Sequence, residues 1–162
     1  QGLPCTVRLE HLMEHVPDRP YDAIVNLGVT EHLPDYRGTL RKYLELLKPG
    51  GTIYLDASAD RRKHQHSTFL ERHLYPGNGS LLVLHEYLAE VARTPFQLLG
   101  VHDDRHSYYL TCRHWAERFD AHRDTIEATW GAEVYRKYRL YLWGSADGFD
   151  RDLLQAYHWV LR

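Results

Sequence analysis

The stretch YDAIVNLGVTEHLPDY at residues 21–36 decides the fold, and it continues through a helix-like segment into LKPGGTIYLD at residues 47–56. Residues 23–27 form a short, mostly apolar run that ends at Gly28. Such a run is typical of a strand that is buried on both faces. The sequence therefore predicts the central strand of an α/β sheet at this position.

A helix and a second strand follow the central strand. Apolar residues recur at helical spacing at Leu40, Tyr43, Leu44 and Leu47. The Pro-Gly-Gly at residues 49–51 stops this helix, and residues 52–55 form the next predicted strand. The result is a strand-helix-strand crossover, which is the connection that builds a parallel sheet.

Polar residues emerge directly after the central strand. In an open α/β sheet, ligands bind in the crevice outside the carboxyl ends of the strands. Glu31 and His32 follow the strand at such a place, so they are candidates for catalysis. A polar pair at a strand end also commonly caps the next helix, and Asp35 is a candidate for that cap.

The composition excludes several classes of protein. The 162 residues are enough for one domain with its own core. The net charge is -2 with acidic and basic residues interspersed, which argues against a nucleic-acid partner. No apolar run approaches the roughly 20 residues that cross a bilayer. The two cysteines, Cys5 and Cys112, favour a reduced, cytoplasmic setting. His64 and His66 have no ligand partners at metal spacing, so no metal site is predicted.

The rest of the chain alternates helical patterns with short strands. The further predicted elements are a strand at residues 6–9, a polar loop at 59–66, a short helix at 68–74, an amphipathic helix at 81–93, a strand at 96–101, a helix at 112–119 capped by Thr111, a helical region at 126–142 broken near Gly131, and a strand at 153–161.

Several motifs carry a resemblance to a known family. Besides Glu31-His32 and LKPGG in the central stretch, RHLYPGNG at residues 72–79 resembles KYIFPGG, SYYLTCRHW at 107–115 resembles HYxxTxxxW, and residues 135–149 resemble YxRxxxYYLxxxxxxF. In this order the motifs cover nearly the whole chain. The chain thus resembles class I S-adenosylmethionine-dependent methyltransferases, and specifically the cyclopropane-fatty-acid synthases with the mycolic acid cyclopropane synthases and some small-molecule N-methyltransferases.

The resemblance implies a Rossmann-like α/β sheet that lacks its first strands and carries a helical, substrate-covering insertion. Residues 1–162 correspond to the carboxyl-terminal part of one methyltransferase domain, with residues 57–95 and 107–150 on the substrate side and the last strand antiparallel. The Gly-rich turn that brings backbone close to a cofactor does not occur in this sequence. The chain alone is therefore expected to bind the methyl donor poorly or not at all.

The resemblance also implies S-adenosylmethionine as the methyl donor. His11 and Leu12 match positions that border the adenine, in part through main-chain amides, although an ordinary loop edge would give the same pattern. Leu27 and Gly28, at the end of the central strand, complete the predicted cofactor-binding residues.

By the same resemblance, the predicted catalytic residues are Glu31, His32, Asp56 and Tyr108. In the cyclopropane synthases the matching glutamate helps to hold a bicarbonate ion, which takes a proton from the cation that forms after methyl addition to an alkene. The main chain at Leu27 and the phenol at Tyr108 match further contacts of that ion. The last contact is usually a histidine, but this sequence has Asp56 there.

Asp56 puts the bicarbonate site in doubt. An ionised carboxylate cannot donate a hydrogen bond, and two negative charges about 4 Å apart repel by roughly 4 kcal/mol at an effective dielectric constant near 20. Asp56 could be protonated, could replace bicarbonate as the base, or could orient a cationic or hydroxylated substrate. A turn at residues 56–58, capped by Asp56, is the structural alternative.

The acceptor has several candidates. The family resemblance implies an unsaturated acyl lipid, with peripheral contact to a membrane, and a small-molecule nitrogen or carbon is the close rival. Tyr138, Tyr141 and Trp143 are the predicted substrate-lining residues, although aromatic residues at helical spacing often belong to the core. A non-catalytic fragment or pseudo-enzyme that serves as a partner surface is the alternative from a different class.

Overall fold

The computed structural model describes residues 2, 5–64, 67–77 and 79–162, so His66 and Asn78 lie outside the described residues. Four strands and six helices lie in this part of the chain. In chain order they are β1 (Tyr21–Leu27), α1 (Tyr36–Leu46), β2 (Leu47–Ala59), α2 (Thr68–His73), α3 (Leu84–Val91), β3 (Leu98–Asp103), α4 (Arg105–Ala121), α5 (Arg123–Trp130), α6 (Ala132–Asp150) and β4 (Gln155–Leu161), with a 3-10 turn at Thr30–His32.

The strands form one mixed sheet in the order β1-β2-β4-β3. β1 and β2 are parallel, which confirms the predicted strand-helix-strand crossover. β4 lies between β2 and β3 and is antiparallel to both, as predicted for the last strand. The α/β fold class is thereby confirmed. No helix in the described part of the chain combines the length and the apolar character that crossing a membrane requires.

One face of the sheet carries the main hydrophobic core. Alternate residues of β2 and β4 point to this face, and Ile53, Leu55, Trp159 and Leu161 are fully buried there. α1 and α3 cover the face, and the ring of Tyr87 in α3 contacts Trp159 with 5.1 Å between ring centroids. The alternation follows from the two-residue period of a strand, which sends successive side chains to opposite faces.

The other face is covered in part by the long helices of the carboxyl-terminal half. A second cluster of buried residues joins α4 and α6 to Ala156 of β4. At the far end of α4, Asp120 accepts hydrogen bonds from the side chains of Tyr135, Arg139 and Trp143. α5 ends at Trp130, and Gly131 has a φ of 88° before α6 begins, so the predicted break near Gly131 is confirmed.

Asp35 caps the helix that links the two parallel strands. Its carboxylate accepts a hydrogen bond of 3.0 Å from the amide of Gly38, as predicted for a helix N-cap. Replacing Asp35 by alanine should lower the free energy of unfolding by about 1 kcal/mol, because an amide of the first turn loses its partner. Urea unfolding followed by circular dichroism measures this change, and an unchanged midpoint would contradict the capping role.

The structure contradicts two predictions about the first strands. Residues 6–9 do not form a strand, and Val7 and Leu9 are almost fully exposed. β1 is consequently an edge strand, which pairs only with β2 among the described strands. It is therefore not buried on both faces, since Val25 is 65% and Leu27 60% exposed.

Several predicted boundaries also move. Thr111 lies inside α4, which begins at Arg105 after Asp104, so its predicted capping role is wrong. Ala57 and Ser58 belong to β2, so the predicted turn at residues 56–58 is wrong as well. The helix predicted at residues 81–93 begins only at Leu84, because Leu82 instead forms a bridge to the end of β2.

Candidate active site

The candidate site lies where the parallel pairing of β1 with β2 ends. Leu27, the last residue of β1, pairs with Asp56 in β2, and the amide of Gly28 donates to the carbonyl of Asp56 over 3.0 Å. Gly28 has a φ of 62°, a left-handed conformation that lets the chain turn sharply here. The turn carries the following residues across the end of β2, where Glu31 is anchored.

Backbone amides hold Glu31 in place. Its side-chain Oε1 accepts from the amide of Ser58 over 2.7 Å, and its carbonyl accepts from the amide of Ser80 over 2.7 Å. Burial raises the pKa of Glu31, although the amide of Ser58 acts in the opposite direction. Among the described residues, its buried Oε2 has no hydrogen-bond partner. Glu31 is therefore a rigidly held acid with one oxygen left for a ligand or a water molecule.

Asp56 and Tyr108 form the closest polar contact of the site. The phenol of Tyr108, in the first turns of α4, donates to Oδ1 of Asp56 over 2.5 Å. Burial raises the pKa of Tyr108 well above its ordinary value, and the hydrogen bond to Asp56 and the charges of Asp56, Glu31 and Asp104 add to this. Tyr108 thus stays protonated and acts as a donor. Asp56 and Tyr108 are thus in direct contact, and the charge of Glu31 also contributes to the raised pKa of the phenol.

His32 faces a different group of side chains. It is exposed, and its ring lies 6.4 Å from that of Tyr75, in the segment that follows α2. The hydroxyl of Tyr75 is 2.7 Å from that of Tyr141 in α6. His32, Tyr75 and Tyr141 therefore link the turn after β1 to α6.

Only one of the predicted substrate-lining residues takes part in this link. Tyr138 is 46% exposed and packs against Phe119, and the indole of Trp143 donates to Asp120 over 2.9 Å. Asp120 lies in α4 twelve residues after Tyr108, a distance of about 18 Å along a helix. The structure therefore places Tyr138 and Trp143 away from Asp56, and it does not unite them with Tyr141 in one wall.

The predicted cofactor residues lie in the turn before β1 and at the end of β1. Leu12 packs against the main core, and the imidazole of His11 accepts from the amide of Met13, which stabilises the turn. At Gly28 an added Cβ would meet no atom within 4 Å, and the neighbouring Leu27 is largely exposed. This edge offers apolar surface and open space, which leaves room for an adenosyl group.

Sequence reasoning missed three residues of this region. Ser58 anchors Glu31 through its amide, and no side-chain pattern signals a main-chain contact. Asp104 and His158 form a second hydrogen-bonded pair beside Asp56 and Tyr108. A histidine in a mostly apolar terminal strand is the sequence feature that could have indicated this pair.

The fold and the position of the site define a class I methyltransferase architecture, as a comparison with solved structures shows. The chain matches the cyclopropane synthase MmaA2 from Mycobacterium tuberculosis with a TM-score of 0.80 at 22% identity, covering 89% of this chain and 56% of that one. It also matches coclaurine N-methyltransferase bound to N-methylheliamine and SAH with a TM-score of 0.79 at 19% identity, covering 97% of this chain and 53% of that one.

The chain belongs to the mycolic acid cyclopropane synthetase family, whose model matches residues 5–159. A probable fatty acid methyltransferase, Rv3720 of Mycobacterium tuberculosis, is 26% identical over 168 residues, which cover 98% of this chain and 38% of that protein. Sphingolipid C9-methyltransferase 1 of Gibberella zeae is 22% identical over 151 residues, which cover 89% of this chain and 29% of that protein. The chain thus spans well under half the length of these relatives.

Proposed function

We propose that this chain forms the acceptor side of an S-adenosylmethionine-dependent methyltransferase in which Asp56, held by Tyr108, takes up the proton that the acceptor loses. Family membership and the fold support this proposal. The observation that carries it is the Asp56–Tyr108 hydrogen bond beside the buried Glu31. A carboxylate oriented by a neutral donor at a strand end is a suitable general base.

The donor, when bound, supplies an electrophilic sulfonium methyl group. The residues of this chain position the acceptor, keep water away and remove a proton afterwards. With an alkene acceptor, methyl addition leaves a carbocation. Loss of a proton from the new methyl group lets the C–H electron pair close a three-membered ring, whereas loss from a neighbouring carbon leaves a methyl-branched alkene. In both cases Asp56 receives the proton.

Asp56 is a better candidate for the base than bicarbonate. Tyr108 has a single hydroxyl proton, and that proton is directed to Asp56 and not to an exogenous anion. A bicarbonate beside Asp56 would also face the charge repulsion described above. The structure therefore favours a mechanism in which a side chain does the work of the ion.

For the acceptor we propose an unsaturated acyl lipid. The fatty acid and sphingolipid methyltransferases among the relatives support this choice. A lipid acceptor implies contact with a membrane surface, which the cytoplasmic setting predicted from the cysteine content permits. A small-molecule amine is the second candidate, because coclaurine N-methyltransferase shares the fold and because the carboxylate of Asp56 would attract a cationic amine.

The test supplies the full-length protein with methyl-labelled S-adenosylmethionine and either vesicles of unsaturated phospholipid or a panel of amines. We expect label in the lipid, with a mass increase of one CH2 group, and NMR of the product then distinguishes a ring from a branch. Label in an amine alone would favour the second candidate. No transfer to either acceptor would contradict the proposal and support a non-catalytic role.

A further inference from the structure

A second pair of titratable side chains lies beside Asp56 and Tyr108. Oδ2 of Asp104 and Nδ1 of His158 share a hydrogen bond, and the two side chains are only 21% and 26% exposed. Asp104 occupies the N-cap position of α4, yet its side chain makes no capping hydrogen bond. The carboxylate of Asp104 therefore accepts a hydrogen bond from His158 instead of capping α4.

The register of the sheet places this pair next to the proposed base. Asp56 in β2 and His158 in β4 are directly opposed in the antiparallel pairing. Opposed residues project from the same face of a sheet, with Cβ atoms about 4.5–5.5 Å apart. Asp104 lies one helical turn before Tyr108, whose amide donates to the Asp104 carbonyl over 2.9 Å. Tyr108 thus contacts Asp56, Asp104 contacts His158, and the sheet register places the two pairs side by side.

Two rings hold the imidazole of His158 between them. The ring of His102 in β3 is stacked at 4.6 Å on one side, and that of Tyr54 in β2 is stacked at 5.5 Å on the other. With Nδ1 directed to the carboxylate of Asp104, Nε2 is the nitrogen that can take up a further proton. We find no hydrogen bond to Nε2 from any residue that the structure describes.

The side chains around His158 come from three elements. The groups that face its ring are Tyr54 and Asp56 from β2, His102 from β3 and Asp104 at the start of α4. Two of these are the carboxylates of Asp56 and Asp104, and Asp104 is in hydrogen-bond contact with the ring. No other strand or helix of the described chain supplies a lysine or arginine contact to the ring.

We propose that His158, oriented by Asp104, is a proton-relay residue that removes the proton from Asp56 after each turnover. This inference rests on the function proposed above. A bond from carbon or nitrogen to hydrogen breaks in the acceptor, its electron pair stays with the acceptor, and the proton forms an O–H bond on Asp56. That O–H bond then breaks as the proton passes, through one bridging water molecule, to Nε2 of His158. Asp104 balances the imidazolium charge until the proton exchanges with water.

The test replaces His158 by glutamine, which keeps a polar side chain of similar length that takes up no proton at neutral pH. We expect kcat of the full-length protein to fall by about 10²-fold, the lower end of proton-transfer effects, with KM for the acceptor unchanged. Imidazole added to the buffer should restore part of the rate. His85→Gln, an exposed position in α3 on the opposite face of the sheet, is the matched control and should leave kcat unchanged.

A spectroscopic measurement tests the pair without turnover. In long-range 1H–15N spectra of histidine-labelled protein, Nδ1 of His158 should carry its proton, and Asp104→Asn should change that signal while the signal of His85 stays the same. Wild-type kcat in His158→Gln, or a His158 signal without a proton on Nδ1, would overturn the relay and leave the proposed function standing. A wild-type protein that transfers no methyl group would overturn both.

Discussion

Replacement of Asp56 by asparagine should lower kcat of the full-length protein by about 10²–10⁴-fold, the range observed when a general base is removed. The asparagine amide keeps the size of the side chain and an oxygen that can accept the hydrogen bond from Tyr108, which is 2.5 Å long in the wild type. What the variant loses is the ability to take up a proton. Affinity for the acceptor should therefore change little, and the loss should appear in kcat.

A matched variant and a change of buffer distinguish Asp56 as the base from bicarbonate as the base. Asp60→Asn, four residues further along the same segment, replaces a carboxylate that accepts from the amide of Arg61, and it should retain activity. Removal of dissolved bicarbonate should leave the wild-type rate unchanged, because Asp56 performs the task of that ion. A rate that depends on bicarbonate, or an Asp56→Asn variant with normal kcat, would show that Asp56 is not the base.

The kinetic constants of wild type and variants are measured with the acceptor that the transfer experiment identifies. Initial rates of label transfer from S-adenosylmethionine, at saturating and at low acceptor concentration, give kcat and KM separately for wild type and variants. Urea unfolding of each variant guards against loss of fold, since Asp56 lies in the central part of the sheet. A variant that unfolds at the wild-type urea midpoint but transfers no methyl group has kept its fold and lost its catalytic activity.

Local patterns were sufficient to predict much of the fold. The apolar run before Gly28, the helical spacing after Asp35 and the break at Gly131 each depend on neighbours in sequence, and each is present in the structure. The strand at residues 6–9 failed because a strand needs a partner, and pattern alone does not supply one. Thr111 failed as a cap because the preceding residues continue a longer amphipathic helix that packs against α6.

The site could be predicted only where the family resemblance supplied long-range information. Asp56 and Tyr108 are separated by 52 positions, and neither local spacing nor composition indicates that they touch. The pairing of His158 with Asp104 depends on the register of β4 between β2 and β3, which the sequence pattern does not specify. Tyr138 and Trp143 were predicted from helical spacing alone, without long-range information. The hydrogen bond from Trp143 to Asp120 instead places the indole at the far end of α4.

Replacement of Glu31 by glutamine should separate stability from activity. Burial raises the pKa of Glu31 in the folded state above its ordinary value of 4.5. At a pH between the ordinary pKa and the folded-state pKa, the folded state therefore binds more protons than the unfolded state. The stability that this group contributes is fully present below the ordinary pKa and is lost as the pH rises through the folded-state pKa. Glutamine does not titrate, so the free energy of unfolding of Glu31→Gln should fall less steeply as the pH rises.

The same substitution should reduce transfer by about 10²-fold, because it removes an oriented acid from the site. Urea unfolding between about pH 4.5 and pH 8 measures the stability difference, which should grow in favour of the variant as the carboxyl of the wild type ionises. Glu14→Gln, at an exposed position before β1, should show the wild-type pH dependence and normal transfer. Parallel stability curves for wild type and Glu31→Gln would show that the burial of this acid has no energetic cost, and the argument that it is held in place for function would then fail.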